Sequence, residues 1–163
     1  MKKLILVFGI IFSVTAFAQE EEQEEVQEEE LPQAINDIFN KMYPRATGIE
    51  WNEAEGNYNV RFESHSLNCL AIFLTSGEWV ETIKQVDKDE IPKTIKTAAK
   101  AQHPKIVIEK GEFIENVQSD KFYKIYGVID SKGYIIHVSK EGNVIKSEKS
   151  LNKNTELRTF WVP

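Results

Sequence analysis

The chain has 163 residues, 41% hydrophobic and 28% charged, with a formal net charge of -6. That length suits one or two small domains, and the acidity argues against a nucleic-acid reader, which needs a basic face for phosphate. Cys69 is the single cysteine, which excludes an intramolecular disulfide, so the fold must be held by its core.

The chain opens with Met1-Lys2-Lys3, the apolar run Leu4 to Val14 and the small-residue site Ala16-Phe17-Ala18. This is the pattern of a secretory signal peptide over residues 1–18, cleaved after Ala18. The rival is a transmembrane anchor, but the run is too short for ~30 Å of hydrocarbon and acid follows it. No membrane span is expected once the signal is removed, and no cysteine at the boundary supports a lipid anchor. The mature chain is expected in the periplasm or outside the cell. Residues 19–30 hold eight glutamates and one hydrophobe, Val26, which cannot offset the entropy of ordering. A disordered acidic linker is expected there, with weak binding of cations or basic surfaces as its functional alternative.

From Leu31-Pro32 to Tyr43-Pro44 the chain writes a helix with a built-in start and stop. Ala34, Ile35, Ile38, Phe39 and Met42 recur at helical spacing on one face. The period then becomes two: a strand around Ile49 and Trp51, one from Tyr58 to Phe62, then Leu67 to Thr75 and Trp79 to Val86. Glu55-Gly56-Asn57 and Ser76-Gly77-Glu78 read as turns. Ile91-Pro92 to His103-Pro104 writes the helix again, with Ile91, Ile95, Ala98, Ala99 and Gln102 as a thinner stripe opposite Lys93, Lys96 and Lys100. That lysine row reads as a solvated face first and an anion site second. Strands follow over Lys105 to Val117, Phe122 to Asp130, Tyr134 to Lys140 and Asn143 to Lys149, with turns at Ser119-Asp120, Ser131-Lys132-Gly133 and Glu141-Gly142-Asn143.

The expected fold class is therefore α+β: two tandem copies, residues 31–90 and 91–150, each a helix followed by a four-stranded antiparallel sheet, with the helices packed on one face. Each copy is near the lower size limit for an independent core, so the two are expected to fold as one body. Residues 31–90 carry Lys41, Arg45, Arg61, Lys84 and Lys88 against ten acids, a sum of -5, and residues 91–163 sum to +5. The complementarity favours association of the halves, weakly, because exposed charges are screened within ~10 Å. Residues 151–163 are apolar for an end, with Leu157, Phe160, Trp161 and Val162, and are expected to dock on the domain; a recognition tag is the alternative.

Leu31-Pro32, Tyr43-Pro44, Trp51, the strand Tyr58-Asn59-Val60-Arg61-Phe62 and Gly77-Glu78-Trp79 before Glu81-Thr82 carry a resemblance. With their weaker second occurrence, they resemble the PepSY-like family, described as β-lactamase-inhibitor-like. The resemblance covers residues 31 to about 148 and implies an envelope or secreted domain with helices on one face of an antiparallel sheet, in a family with no established catalytic activity. In the second stretch His103 replaces the tyrosine before proline, and Val144 stands where Trp79 stands in the first.

Imidazole chemistry would have to use His65, His103 or His137, the only histidines. None lies in a zinc pair, and there is no serine elbow or glycine-rich phosphate loop. His65 falls in a turn and His103 at a helix stop, where capping or exposure is the expected role. His137, in mid-strand, is the one to inspect for a pH effect. Glu53 and Glu55 sit near a hairpin tip, too exposed for general-acid work. Cys69 reads as a small buried hydrophobe, with a reactive thiol as the alternative. No enzyme, cofactor or metal site is expected.

Tyr58, Val60 and Phe62 form the inward set of their strand, which places Leu70, Ile72, Leu74, Phe122, Tyr126, Val128, Ile135 and His137 on the sheet face opposite the helices. An open face this apolar is expected to be covered by a partner, a second copy or the tail. Two functions fit. One is a secreted or periplasmic binding module that inhibits or regulates an envelope enzyme; the other is a structural or small-ligand-binding envelope protein that self-associates as a homodimer. The exported chain is expected to start at Gln19, which intact mass measures; a soluble chain retaining Met1 overturns the cleavage site.

Overall fold

The computed structural model describes residues 30–150. The expected signal peptide, nearly all of the acidic linker and the tail 151–163 lie outside the described residues.

Prolines bracket the helices. α1 spans Gln33–Met42, and α2 spans Lys93–Gln102. Pro32 and Pro92 stand as the N-cap residues, and each carbonyl takes a helical N–H: Asn36 N to Pro32 O at 3.0 Å, Lys96 N to Pro92 O at 3.1 Å. At the other end the N–H groups of Tyr43 and His103 close the last turns on Phe39 and Ala99 before the following proline stops each helix.

After α1 come β1 (Thr47–Ala54), β2 (Asn57–Ser64), β3 (Leu67–Leu74) and β4 (Trp79–Asp87). After α2 come β5 (Val107–Asn116), β6 (Lys121–Ile129), β7 (Lys132–Ser139) and β8 (Val144–Lys149). Three hairpins turn on consecutive residues with positive φ: Glu55-Gly56, His65-Ser66 and Asp130-Ser131. This is the backbone of the two-residue turn whose twist matches that of its strands. The third differs from expectation, since Lys132 and Gly133 already belong to β7 and the turn lies one residue earlier.

The expected pair of four-stranded sheets is not what forms. The eight strands make one antiparallel sheet in the order β1-β2-β3-β4-β5-β6-β7-β8. β4 and β5 pair from Glu81↔Asn116 to Asp87↔Lys110, so the sheet runs straight across the boundary between residues 90 and 91. The physical reason is the cost of edges. Two separate sheets would leave the N–H and C=O groups of β4 and β5 unpaired beside each other, and joining them satisfies both rows.

Both helices pack on sheet residues of one parity. Ile35 and Phe39 of α1 bury against Val60, Phe62, Cys69, Ala71 and Phe73, with the Phe39 and Phe62 rings edge to face at 4.9 Å. Ile95 and Ala99 of α2 bury against Val86, Ile125, Ile136 and Val138. The register joins the two sets: Val60 pairs Ala71, Ala71 pairs Thr82, and Ile125 pairs Ile136. Ile38 and Met42 of the α1 stripe remain 38% and 36% exposed, so only the centre of that stripe is core.

Each helix stop is also tied to the sheet by a polar contact. The Tyr43 hydroxyl meets Thr82 Oγ1 at 2.5 Å, and the same oxygen accepts the Trp79 indole N–H at 2.9 Å. Thr82 is 1% exposed, so these bonds satisfy a hydroxyl that would otherwise be buried alone. At the second stop His103 Nε2 lies 2.8 Å from Ser147 Oγ on β8. His103 thus caps α2 through its backbone while its half-buried ring braces the sheet.

Gly127 marks the tightest approach. A Cβ there would lie 2.7 Å from Ile106 Cγ1 and 2.7 Å from the Val107 carbonyl oxygen. Gly127→Ala is expected to destabilise the fold by ~1–3 kcal/mol through overpacking. Thermal unfolding followed by circular dichroism measures it, and an unchanged Tm means that the β5–β6 approach has slack.

Candidate functional site: the sheet face opposite the helices

The residues alternate with the core set, so strand pleat alone puts them on the other face. Leu70 pairs with Ile83, Ile83 with Ile114, and Ile114 with Phe122. The register therefore lays an apolar row across β3, β4, β5 and β6, perpendicular to the strands. Ile72 and Val80 widen it. Leu70 and Ile114 are fully buried, Ile83 is 4% exposed and Ile72 9%. Every residue of this cluster lies on a strand.

Polar rows frame it. On one side Gln85, Glu112, Lys124, His137 and Lys146 stand opposite one another in succession. On the other stand Asn59, Glu81 and Asn116, with the apolar Ile72 between the first two. Two clefts open at the ends of the apolar row. One, of ≈ 810 Å³, lies over β1 to β4 with Asn52, Asn59, Arg61, Leu74 and Glu81 in its wall. The other, of ≈ 700 Å³, is lined by Phe122, Lys121, His137, Ser139 and Ile145. In the first, Arg61 Nε is buried with no hydrogen-bond partner among the described residues, and Arg61 Nη1 reaches Glu50 only at 4.0 Å. A buried donor left unmade is costly, so this guanidinium is suited to an incoming acceptor.

The expected site residues are all on this face, but they are not equally accessible. Leu74 is 39% exposed, and Phe122, Val128, Ile135 and His137 are half-buried. Leu70, Ile72 and Tyr126 are buried. Tyr126 donates its hydroxyl to Glu112 Oε2 at 2.8 Å, with the Lys110 ammonium 5.5 Å from its ring centre. Sequence reasoning missed Ile83 and Ile114. For Ile83 the signal was present, since it alternates with Thr82 and Lys84; Ile114 is hidden because Phe113 beside it is also apolar and points to the helix side.

Cys69 is fully buried under α1 with its thiol 3.4 Å from the Leu67 carbonyl, and burial pushes its pKa up to about 11 against the opposing Lys84 charge. A thiol so protonated and enclosed is a packing group. No group of three or more His, Cys, Asp or Glu that could hold a metal occurs among the described residues. Nor is any of their helices long and apolar enough to cross a membrane.

A family described as "Putative beta-lactamase-inhibitor-like, PepSY-like" matches residues 17–70 and 56–146. The chain belongs to this PepSY-like family. Solved structures share its fold. A BLIP-like protein from Bacteroides fragilis is 22% identical with a TM-score of 0.67, over 76% of this chain and 90% of that one. A protein from Bacteroides eggerthii described among "putative periplasmic proteins" is 21% identical with a TM-score of 0.65, over 75% and 91%. A third, from Bacteroides ovatus, is 22% identical with a TM-score of 0.67, over 79% and 99%. No curated protein matches the chain.

His137 sits where the open face meets the second cleft, its ring stacked on Phe122 at 5.6 Å and 11°. Burial foremost, then the Lys124 charge, holds its pKa below the ordinary 6.5, with Glu148 opposing and Lys146 adding to the depression. Nε2 lies 3.8 Å from Glu148 Oε1, too far for a strong hydrogen bond. A depressed folded pKa means that the unfolded chain takes up the proton first as pH falls. The His137 contribution to stability is therefore complete above ~pH 6.5 and is lost as pH drops through the folded value. Tm is expected to fall between ~pH 7 and 5, with a shallower slope in His137→Gln; equal slopes would remove His137 as the cause.

Proposed function

We propose that this PepSY-like protein is a non-catalytic binding module of the periplasm or cell exterior that takes a protein partner on the sheet face opposite its helices. The observation that carries the reading is the apolar row Leu70, Ile83, Ile114 and Phe122, flanked by clefts on a face that neither helix covers. A row of large apolar side chains bounded by charged and amide groups is the composition of an interface core with its rim. Arg61, with a buried unmade donor, supplies a specific anchor for a carboxylate or carbonyl of the partner. The BLIP-like description of one relative and the periplasmic description of another support the inhibitory and envelope aspects. Regulation of an envelope enzyme is the finer form of the proposal.

The test uses residues that reach solvent. Leu74→Glu and Phe122→Glu are made in the mature chain, and a stoichiometric partner is recovered from envelope extract and then measured with purified components. Both variants are expected to keep a cooperative melt and lower affinity by about tenfold or more, as for a central contact. Equal affinity in both variants overturns the sheet face as the site. A concentration-dependent homodimer with no partner overturns the partner in favour of self-association.

A further inference from the structure

On the open face, β2 and β3 lay two unlike tracks side by side. β2 presents Asn57, Asn59 and Arg61, and β3 sets an aliphatic side chain against each: Asn57 pairs Leu74, Asn59 pairs Ile72 and Arg61 pairs Leu70. All of these except Leu70 line the ≈ 810 Å³ cleft over β1 to β4. We propose that this cleft takes an extended peptide segment of the partner, laid along β2 and β3 with a carboxylate on Arg61 and a cationic side chain at the far end, beside Glu55. The proposal deepens the partner reading above and rests on it.

Three observations point to that chemistry. The first is spacing. Asn57 and Asn59 stand two residues apart on one strand, ~6.8 Å, the interval at which an extended peptide repeats the same side of its own backbone. A carboxamide carries donors and an acceptor, as a peptide group does, so the two can answer successive groups of such a chain. Neither is committed: Asn57 Nδ2 makes only a 3.5 Å bond to the Glu55 carbonyl, and the Asn59 side chain makes none among the described residues.

The second is the Arg61 guanidinium. Its Nε is buried with no partner among the described residues, and its ion pair with Glu50 is a 4.0 Å contact to a carboxylate that is 77% exposed. Turned from that weak contact into the cleft, the group offers the planar fork that a carboxylate takes in two parallel bonds.

The third is the layout of charge. Arg61 is the one cation among the described residues lining the cleft, and Glu55 and Glu81 are its acids. A wholly acidic ligand is repelled by these carboxylates. Asn57 lies ~14 Å along β2 from Arg61, with Glu55 beyond it at the hairpin tip. A segment with a base and an acid four residues apart, both turned to the sheet, matches that separation, and an aliphatic residue midway rests on Ile72 and Leu74. No aromatic ring lines the cleft among the described residues, so a sugar ring has no face to stack on.

The test titrates acetyl-Lys-Thr-Val-Thr-Asp-amide into the isotope-labelled mature chain and reads side-chain N–H resonances. The chain has three arginines, so the Arg61 Nε–H is assigned by its loss in Arg61→Lys. Saturable shifts are expected at that N–H and at the Asn57 and Asn59 carboxamides. The neutral isostere acetyl-Gln-Thr-Val-Thr-Asn-amide is expected to need severalfold higher concentration. Arg61→Lys, which keeps the charge and loses the fork, and Asn59→Ala are each expected to weaken the charged peptide severalfold while still melting cooperatively. Absence of a saturable shift overturns the proposal. Equal shifts from sodium acetate overturn it by leaving an adventitious ion only, and equal affinity for the neutral peptide overturns the charge match. An Arg61 resonance that moves when the chain alone is diluted overturns it by placing a second copy in the cleft. The proposal and the partner reading fail separately: a partner lost in Leu74→Glu and Phe122→Glu, with no peptide shift, keeps the sheet face as the site and removes the extended segment.

Discussion

The pairing of β4 with β5 is the constraint on which the rest depends. It joins two stretches separated by a helix, and it brings Ile83 opposite Ile114. Without it the apolar row would end at β4 and restart at β5, and each half would present an open edge beside a core too small to offset its ordering entropy. With it, one continuous surface forms on each side of the sheet. The helix side holds most of the core, and the opposite side holds the row, the clefts and the unmade Arg61 donor.

The two sides are built on different terms. On the helix side burial is dense and its polar groups are answered: Thr82 by Tyr43 and Trp79, and Ser147 by His103. Those contacts fix where each helix stop sits on the sheet, so the helices act as braces and leave the opposite face to be composed freely. On that face Ile83 stands between Glu81 and Gln85 and Ile114 between Glu112 and Asn116, while β3 presents Leu70, Ile72 and Leu74 in succession. Such a surface is stable enough to be kept folded from behind and polar enough at its rim to meet water. The fold alone is compatible with many functions, so it does not by itself select one.

Electrostatics separates the ends of the same face. The cleft over β1 to β4 carries Arg61 among asparagines, with Glu50 and Glu81 nearby. Toward β8 stand Lys124, His137 and Lys146 with Glu148, where Lys146 and Glu148 approach at 2.6 Å. The ion pairs are solvent-exposed and add little to stability, but they make the two ends of the row electrostatically different.

Residue periodicity by itself determined the local elements. Proline spacing delimits α1 and α2, and alternation locates the strands and assigns Tyr58, Val60 and Phe62 to one face and Leu70, Ile72 and Leu74 to the other, because side-chain direction follows directly from backbone period. The PepSY-like resemblance was legible in the same residues. What the sequence left undecided is which strands become neighbours. A hairpin announces its pairing through its turn, as Glu55-Gly56 does, whereas β4 and β5 have no turn between them and their pairing is a long-range choice made by edge satisfaction and by Ile83 meeting Ile114. Hence the sequence suggested two sheets where there is one. Accessibility was undecided for the same reason: Leu70 and Leu74 read alike in the strand, but Leu70 has Ile83 across from it and is fully buried, while Leu74 lies at the strand end and stays 39% exposed. Only tertiary neighbours, which no local pattern specifies, distinguish the two.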